Sequence, residues 1–313
     1  MSEILLHIGR NKTGTSALQK FLHSNRDVLD DLDINYISVE KSVNTNTIFR
    51  NCVPSVYQKL SKNEKKAVIK EVKNFLDQNI SLNKLSLISA ENISNIDQIT
   101  FNDIFNGYDI KVVAYIRNEL DFLASAYAQY IQNNWADIDF ENYLTDQRLH
   151  LSLNETFMNK IKSFKANSLL VRKYAKNCLE NEDICKDFII HALQLPKATD
   201  SFNYKLKFHA NSSISNEVME FKRKLVRDSY DEFNRKSSYN AYVKLSKFYG
   251  ERYSIPKNQK KRILDTLFKS NINFSESNIL FKAEEYESYS FCEKKIDIIF
   301  EEMLKRFQSF QSF

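Results

Sequence analysis

The sequence predicts an α/β fold: a P-loop-containing core with a central parallel sheet flanked by helices, and a helical C-terminal extension. Three observations carry that expectation. Apolar runs of strand length recur near 4–8, 34–38, 85–90, 111–116 and 168–172, separated by helical or irregular stretches. Such alternation builds a parallel sheet with helices on both faces. The first run, Ile4-Leu5-Leu6-His7-Ile8, feeds a glycine-bearing turn and then a helical pattern with Leu18, Phe21 and Leu22 on one face. Beyond about residue 213 the apolar spacing is helical: Val218, Phe221, Leu225; then Tyr242, Leu245, Phe248; then Ile296, Ile299, Phe300, Leu304. No linker, repeat or low-complexity segment divides the chain. Residues 1–313 therefore read as one domain, an α/β core over 1–175 and a mostly helical part over 176–313.

The turn after the first strand is the most informative stretch. It reads Gly9-Arg10-Asn11-Lys12-Thr13-Gly14-Thr15-Ser16, and it holds two of the chain's four glycines. A chain so sparing with glycine places it where the backbone takes unusual angles or approaches a ligand closely. Successive N–H groups at a strand-to-helix turn form an anion cradle, and the helix start adds favourable potential. Lys12 brings a full positive charge to that cradle. This is a phosphate-binding loop. Its lysine precedes the second glycine, whereas a nucleotide triphosphatase loop places lysine after it, followed by a magnesium-binding hydroxyl.

The later strands carry the remaining candidates. Residues 39–58 contain Pro54 and little periodicity, so they read as a loop or lid over the site. The run Leu85-Ser86-Leu87-Ile88-Ser89 ends in Ala90-Glu91-Asn92, which puts a carboxylate at the sheet's carboxyl edge. The β-branched run Lys111–Ile116 ends in Arg117, and Ser125 follows two turns into the next helix, on its inward face. Arginine suits phosphate because its planar fork stays ionised and matches phosphate oxygens. In open α/β sheets ligands sit at the strands' carboxyl ends, where these residues fall.

The order G-x-x-K-T-G-T-S at 9–16 resembles the 5′-phosphosulfate loop of sulfotransferases that use 3′-phosphoadenosine 5′-phosphosulfate (PAPS). The strand ending in Arg117, with Ser125 eight residues later, resembles their 3′-phosphate motif. Phe21–Leu29 followed by Ile34–Ile37 resembles the first helix and second strand of bacterial carbohydrate-type sulfotransferases. Leu169–Tyr174, with the acidic helix to Asp187-Phe188, resembles their later strand, and Asn211–Glu217 their segment before a helix. Little matches beyond Val226.

The resemblance implies PAPS as donor cosubstrate, held by Arg10, Asn11, Lys12, Thr13, Gly14, Thr15, Ser16, Arg117 and Ser125. It implies a glycan or small-molecule acceptor, with a carbohydrate hydroxyl or amine foremost, and Glu91 as general base. Here Asn92 replaces the lysine that often follows that glutamate. Lys12 takes a catalytic role, because charge builds on the leaving phosphate during transfer and an ammonium stabilises it most at that point. The donor phosphates meet Lys, Arg and backbone, so no metal is expected. The alternative reading is a P-loop kinase or nucleotide triphosphatase, which lacks its G-K-[ST] order and an aspartate ending the Glu91 strand. A nucleotide-binding module without turnover is a third reading, disfavoured by the presence of Glu91 and Lys12.

Composition agrees with a soluble enzyme. Hydrophobic content is 42%, and no apolar run reaches membrane-helix length. The first strand begins within four residues of Met1, leaving no room for a signal peptide, so a cytoplasmic protein is expected. Cys52, Cys178, Cys185 and Cys292 lack C-x-x-C spacing and read as reduced thiols. His23, His150, His191 and His209 lack metal-ligand spacing, and His7 reads as a packed or hydrogen-bonded histidine rather than a base. Net charge of +5 is a weak bias, and the runs Lys257–Arg262 and Phe221–Lys224 read as solvated helix faces. No nucleic-acid partner is expected.

Overall fold

The computed structural model describes residues 2–10, 12–39, 43–145, 154–204, 214–234, 238–249, 253, 255, 259–263, 265 and 294–311. From the N-terminus run β1 (Glu3–His7), α1 (Thr15–Ser24), α2 (Arg26–Asp31), β2 (Ile34–Ile37), α3 (Asn46–Phe49), α4 (Pro54–Tyr57) and α5 (Lys62–Asn79). Next come β3 (Leu85–Ser89), α6 (Gln98–Phe105), β4 (Asp109–Ile116), α7 (Glu119–Asn133), α8 (Phe140–Tyr143), α9 (Asn154–Lys162) and β5 (Ser168–Lys173). The chain continues with α10 (Ile184–Asp187), α11 (Asn216–Arg227), α12 (Ser238–Leu245) and α13 (Lys294–Gln311). All five expected strands are present, with ends shifted by one or two residues.

The fold is α/β, with a five-stranded parallel sheet in the order β2-β3-β1-β4-β5. β1 is central, with His7 paired to Ser89 of β3 on one side and to Val113 of β4 on the other. Four of the five residues in each of β1 and β3 are buried, as expected for strands covered on both faces.

Chain contacts divide the molecule into two compact units. The first comprises residues 1–117 and 154–210 and contains the whole sheet. Leu18, Phe21 and Leu22 of α1 are buried, in a cluster with Leu5, Leu87, Val113 and Phe188. A buried ion pair reinforces this unit. Asp187 is fully buried, and Arg172 of β5 donates to it twice at 2.5 Å, from Nε and Nη2. Tyr115 Oη adds a bond of 2.8 Å to the same carboxylate. A buried carboxylate needs this degree of satisfaction, and removing one partner strands the other.

The second unit comprises residues 118–153 and 211–313. Leu123, Tyr127 and Ile131 of α7 share a buried cluster with Val218, Phe221 and Leu225 of α11, Tyr242 and Leu245 of α12, and Phe300 and Phe307 of α13. Ser215 caps α11, its side chain accepting from Val218 N. Asn211, Ser212 and Ser213 of the same sequence segment lie outside the described residues.

Three expectations are corrected. Of the 39–58 segment, the described residues 43–58 are not an irregular loop: they contain α3, a 3₁₀ turn at Arg50–Cys52, and α4. Pro54 opens α4 at its first position, where the missing N–H costs no hydrogen bond. Phe248 lies past the end of α12 and is 58% exposed, so its spacing does not place it in the core. The run Phe221–Lys224 is not a solvated face. Lys222 is 5% exposed, donates to Gln132 O at 2.9 Å, and lies 5.0 Å from the Tyr242 ring centre. Burial pushes its ammonium down to about 8. Arg223 pairs with Asp137 and Glu220, and Lys224 with Asp228. Lys257 and Asn258 of the other basic run lie outside the described residues.

Candidate active site

The loop after β1 has a backbone that its sequence explains. Ile8 N donates to Val113 O at 3.0 Å, extending the ladder one residue past β1. Gly9 follows where no side chain fits: a Cβ there would lie 2.1 Å from Thr15 Cγ2 and 3.2 Å from Glu91 Cγ. Gly14 caps α1 at φ +74°, in the left-handed region, with Tyr174 packed against it. No side chain caps α1; Ala17 N donates to Gly14 O at 3.0 Å, and the N–H groups of Thr15 and Ser16 ahead of it have no intrahelical acceptor. Lys12 also has φ +69°, a conformation that is strained for a side-chain-bearing residue. Thr13 Oγ1 spans the turn, donating to Arg10 O at 2.6 Å.

Within this unit the loop meets two other strand ends. Ala90 N donates to His7 O at 3.0 Å, carrying β3 past its last residue, and Glu91 then opens a 3₁₀ turn. The Glu91 carboxylate accepts a hydrogen bond from Thr15 Oγ1. Arg117 follows the last residue of β4, and its Nη1 donates to Lys12 O at 3.2 Å. Its guanidinium lies 5.9 Å from the Tyr174 ring centre. Loop, carboxylate and guanidinium therefore meet at the carboxyl ends of β1, β3 and β4.

The charges feel one another. Burial pushes the Lys12 ammonium down, Arg117 pushes it the same way, and Glu91 opposes both. Burial pushes the Glu91 carboxyl above the usual carboxylate range, with Lys12 opposing. Burial thus raises the Glu91 carboxyl and lowers the Lys12 ammonium, and each charge opposes the other's shift. This is a pairing suited to moving a proton and stabilising charge.

The other sequence candidates fall as follows. Arg10, Thr13 and Thr15 are buried within the loop, and Ser16 is exposed on the first turn of α1. Asn11 lies outside the described residues. Ser125 lies half-buried in α7, in the second unit. Among the described residues no group of three His, Cys, Asp or Glu is placed to hold a metal ion, and no helix is long and apolar enough to cross a membrane. Cys52 and Cys185 are buried free thiols and Cys178 an exposed one; Cys292, His150 and His209 lie outside the described residues.

Sequence reasoning missed two side chains around the site. Asn154, at the start of α9, accepts from Arg10 and donates to Arg117 O. Asn92, noted only as a lysine replacement, ties β3 to α3: its N donates to Asn46 Oδ1 at 3.2 Å and its Nδ2 to Asn46 O at 2.8 Å. None of these four bonds has a signal in local spacing.

His7 is fully buried at the end of β1 and shares a hydrogen bond of 2.8 Å with Ser89 Oγ. The rings of Tyr115 and Phe188 stand edge-on to it. Burial lowers its imidazole from 6.5 to about 3, so it is neutral in the fold. A group depressed on folding contributes stability that is present above its unfolded value and is lost as pH falls through the window below it. Unfolding free energy should drop by about 1.4 kcal/mol per pH unit from this group as pH falls below about 6.5. Urea titrations at stepped pH should show a shallower acid loss in His7→Gln than in the native chain. Parallel pH dependences would contradict the assignment.

No family model matches the sequence, and no curated protein matches it. Among solved structures, the chain is similar to a sulfotransferase from Alicyclobacillus acidocaldarius at 12% identity and TM-score 0.40, covering 87% of this chain and 93% of that one. It is also similar to a retinol dehydratase in complex with androsterone and inactive cofactor PAP, at 12% identity and TM-score 0.27, covering 98% of this chain and 79% of that one.

Proposed function

We propose that the chain is a PAPS-dependent sulfotransferase that moves a sulfuryl group to a hydroxyl or amine of an acceptor, foremost a carbohydrate. The supporting observation is the meeting of Lys12, Glu91 and Arg117 at the carboxyl ends of three adjacent strands, around an uncapped helix start. The donor supplies the activated sulfuryl group. The left-handed Gly14 and the Thr15 and Ser16 N–H groups that open α1 suit its 5′ end, with the Thr13, Thr15 and Ser16 side chains beside them. Arg117 suits the 3′-phosphate, and the resemblance adds Ser125 to that set.

In this reading transfer depends on placement and field, with entering and leaving oxygens in line. Glu91 takes the acceptor's proton as the new sulfur–oxygen bond forms. Lys12 faces the leaving phosphate and offsets the charge that gathers there. Thr15 Oγ1 orients the Glu91 carboxylate from the loop itself.

The test is donor recognition. The protein should bind 3′-phosphoadenosine 5′-phosphate (PAP) at least about tenfold more tightly than 5′-AMP, since one charge-assisted bond to the 3′-phosphate is worth ~1.5–3 kcal/mol. Titration calorimetry measures both. Equal affinities would sink the proposal.

A further inference from the structure

We propose that Asn154 is a positioning residue for the phosphate-holding loop, its one carboxamide tying the turn after β1 to the strand end after β4. Asn154 Oδ1 accepts from Arg10 Nη1, and Asn154 Nδ2 donates to Arg117 O at 3.0 Å. Arg117 Nη1 in turn donates to Lys12 O at 3.2 Å. The bonds close a ring: Arg10 to Asn154, Asn154 to Arg117, Arg117 to Lys12, and Lys12 back along the chain to Arg10. Phe157, one turn along α9, supports the ring from the same helix, its centre 5.5 Å from the Arg10 guanidinium. The proposal rests on the function above for the use it gives this loop, while the ring of bonds stands without it.

The chemistry at this position is narrow. The side chain must accept from a guanidinium and, through its other terminal atom, donate to a carbonyl. Asparagine does both and carries no charge. Aspartate accepts but does not donate, and it would set a negative charge beside a cradle that attracts anions. Alanine does neither. The ring also accounts for the strained backbone of Lys12, since a left-handed non-glycine residue persists where its surroundings over-determine it. With the loop already held in the binding conformation, less order has to be gained when a phosphate arrives.

Two measurements on Asn154→Ala and Asn154→Asp test this. Amide hydrogen exchange on the ligand-free protein should show residues 9–14 exchanging at least about tenfold faster in both variants, the loss of one to two hydrogen bonds. Exchange within β1 and β4, and the melting temperature, should stay near the native values. PAP affinity should fall about tenfold in Asn154→Ala and further in Asn154→Asp, which adds repulsion. Native loop exchange in the variants would overturn the proposal, as would equal loss of protection through the whole sheet. Asn154→Asp keeps the native size and its bond from Arg10, so it decides the matter if the alanine variant fails to fold. Native protein that does not bind PAP, with variants that still loosen the loop, would sink the sulfotransferase reading and leave the role of Asn154 standing.

Discussion

Lys12→Ala is expected to lower turnover by about 10²- to 10³-fold at saturating donor, the cost of removing one preorganised stabiliser of developing charge. The loop should survive the change. Arg117 Nη1 binds the Lys12 main-chain carbonyl, and Thr13 Oγ1 spans the turn to Arg10 O. Neither bond uses the lysine side chain. In the proposed mechanism, what disappears is an ammonium that matters most as the sulfur–oxygen bond breaks and charge builds on the leaving phosphate. Arg117→Ala should behave differently, weakening nucleotide binding while leaving turnover of bound donor closer to native, because its contact is the same before and during transfer. Steady-state kinetics separate the two. Ordinary turnover in Lys12→Ala would remove the lysine from the mechanism.

Glu91→Gln should lower turnover by about 10²-fold or more when a hydroxyl is the acceptor, while PAP affinity stays within a few-fold of native. Glutamine keeps an oxygen for the Thr15 hydroxyl, so the geometry around the loop is retained. It cannot take a proton at neutral pH. In the proposed mechanism Glu91 works as the carboxylate, and burial raises its pKa against the opposing pull of Lys12. The native rate should therefore fall as pH drops through a limb above the ordinary carboxylate range, and the variant should lack that limb. A pH–rate profile of both proteins reads this directly. Near-native turnover would move the base elsewhere. His7 is a poor successor, since it is fully buried beside Ser89, Tyr115 and Phe188. The helices of residues 43–58, docked on Asn92 through Asn46, would be searched next.

The strands were legible because a parallel sheet buried on both faces demands unbroken apolar runs, and Ile4–Leu6 and Val112–Ile116 supply them. The loop was legible because Gly9 and Gly14 are scarce residues used where a Cβ does not fit or φ is positive. The α3 and α4 helices were not legible: each is four residues long, too short for an apolar period to show. Lys222 was misread because charge in a helical run says nothing of the aromatic rings that the rest of the unit folds onto it. Asn154 was invisible for a related reason. Its partners lie 144 and 37 residues away, and no local pattern joins a helix start to a distant arginine and a carbonyl. The Arg172–Asp187 pair is similar: both residues stood in recognised segments, and only the packed sheet brings them together.

On the proposed function, this loop holds a PAPS-type nucleotide by backbone, lysine and arginine. The most direct test of this is a calorimetric comparison of PAP and ATP, each titrated with magnesium present and again with EDTA. PAP should bind more tightly than ATP, and EDTA should leave PAP affinity unchanged. Tighter binding of ATP that requires magnesium, or no binding of PAP under either condition, would contradict it.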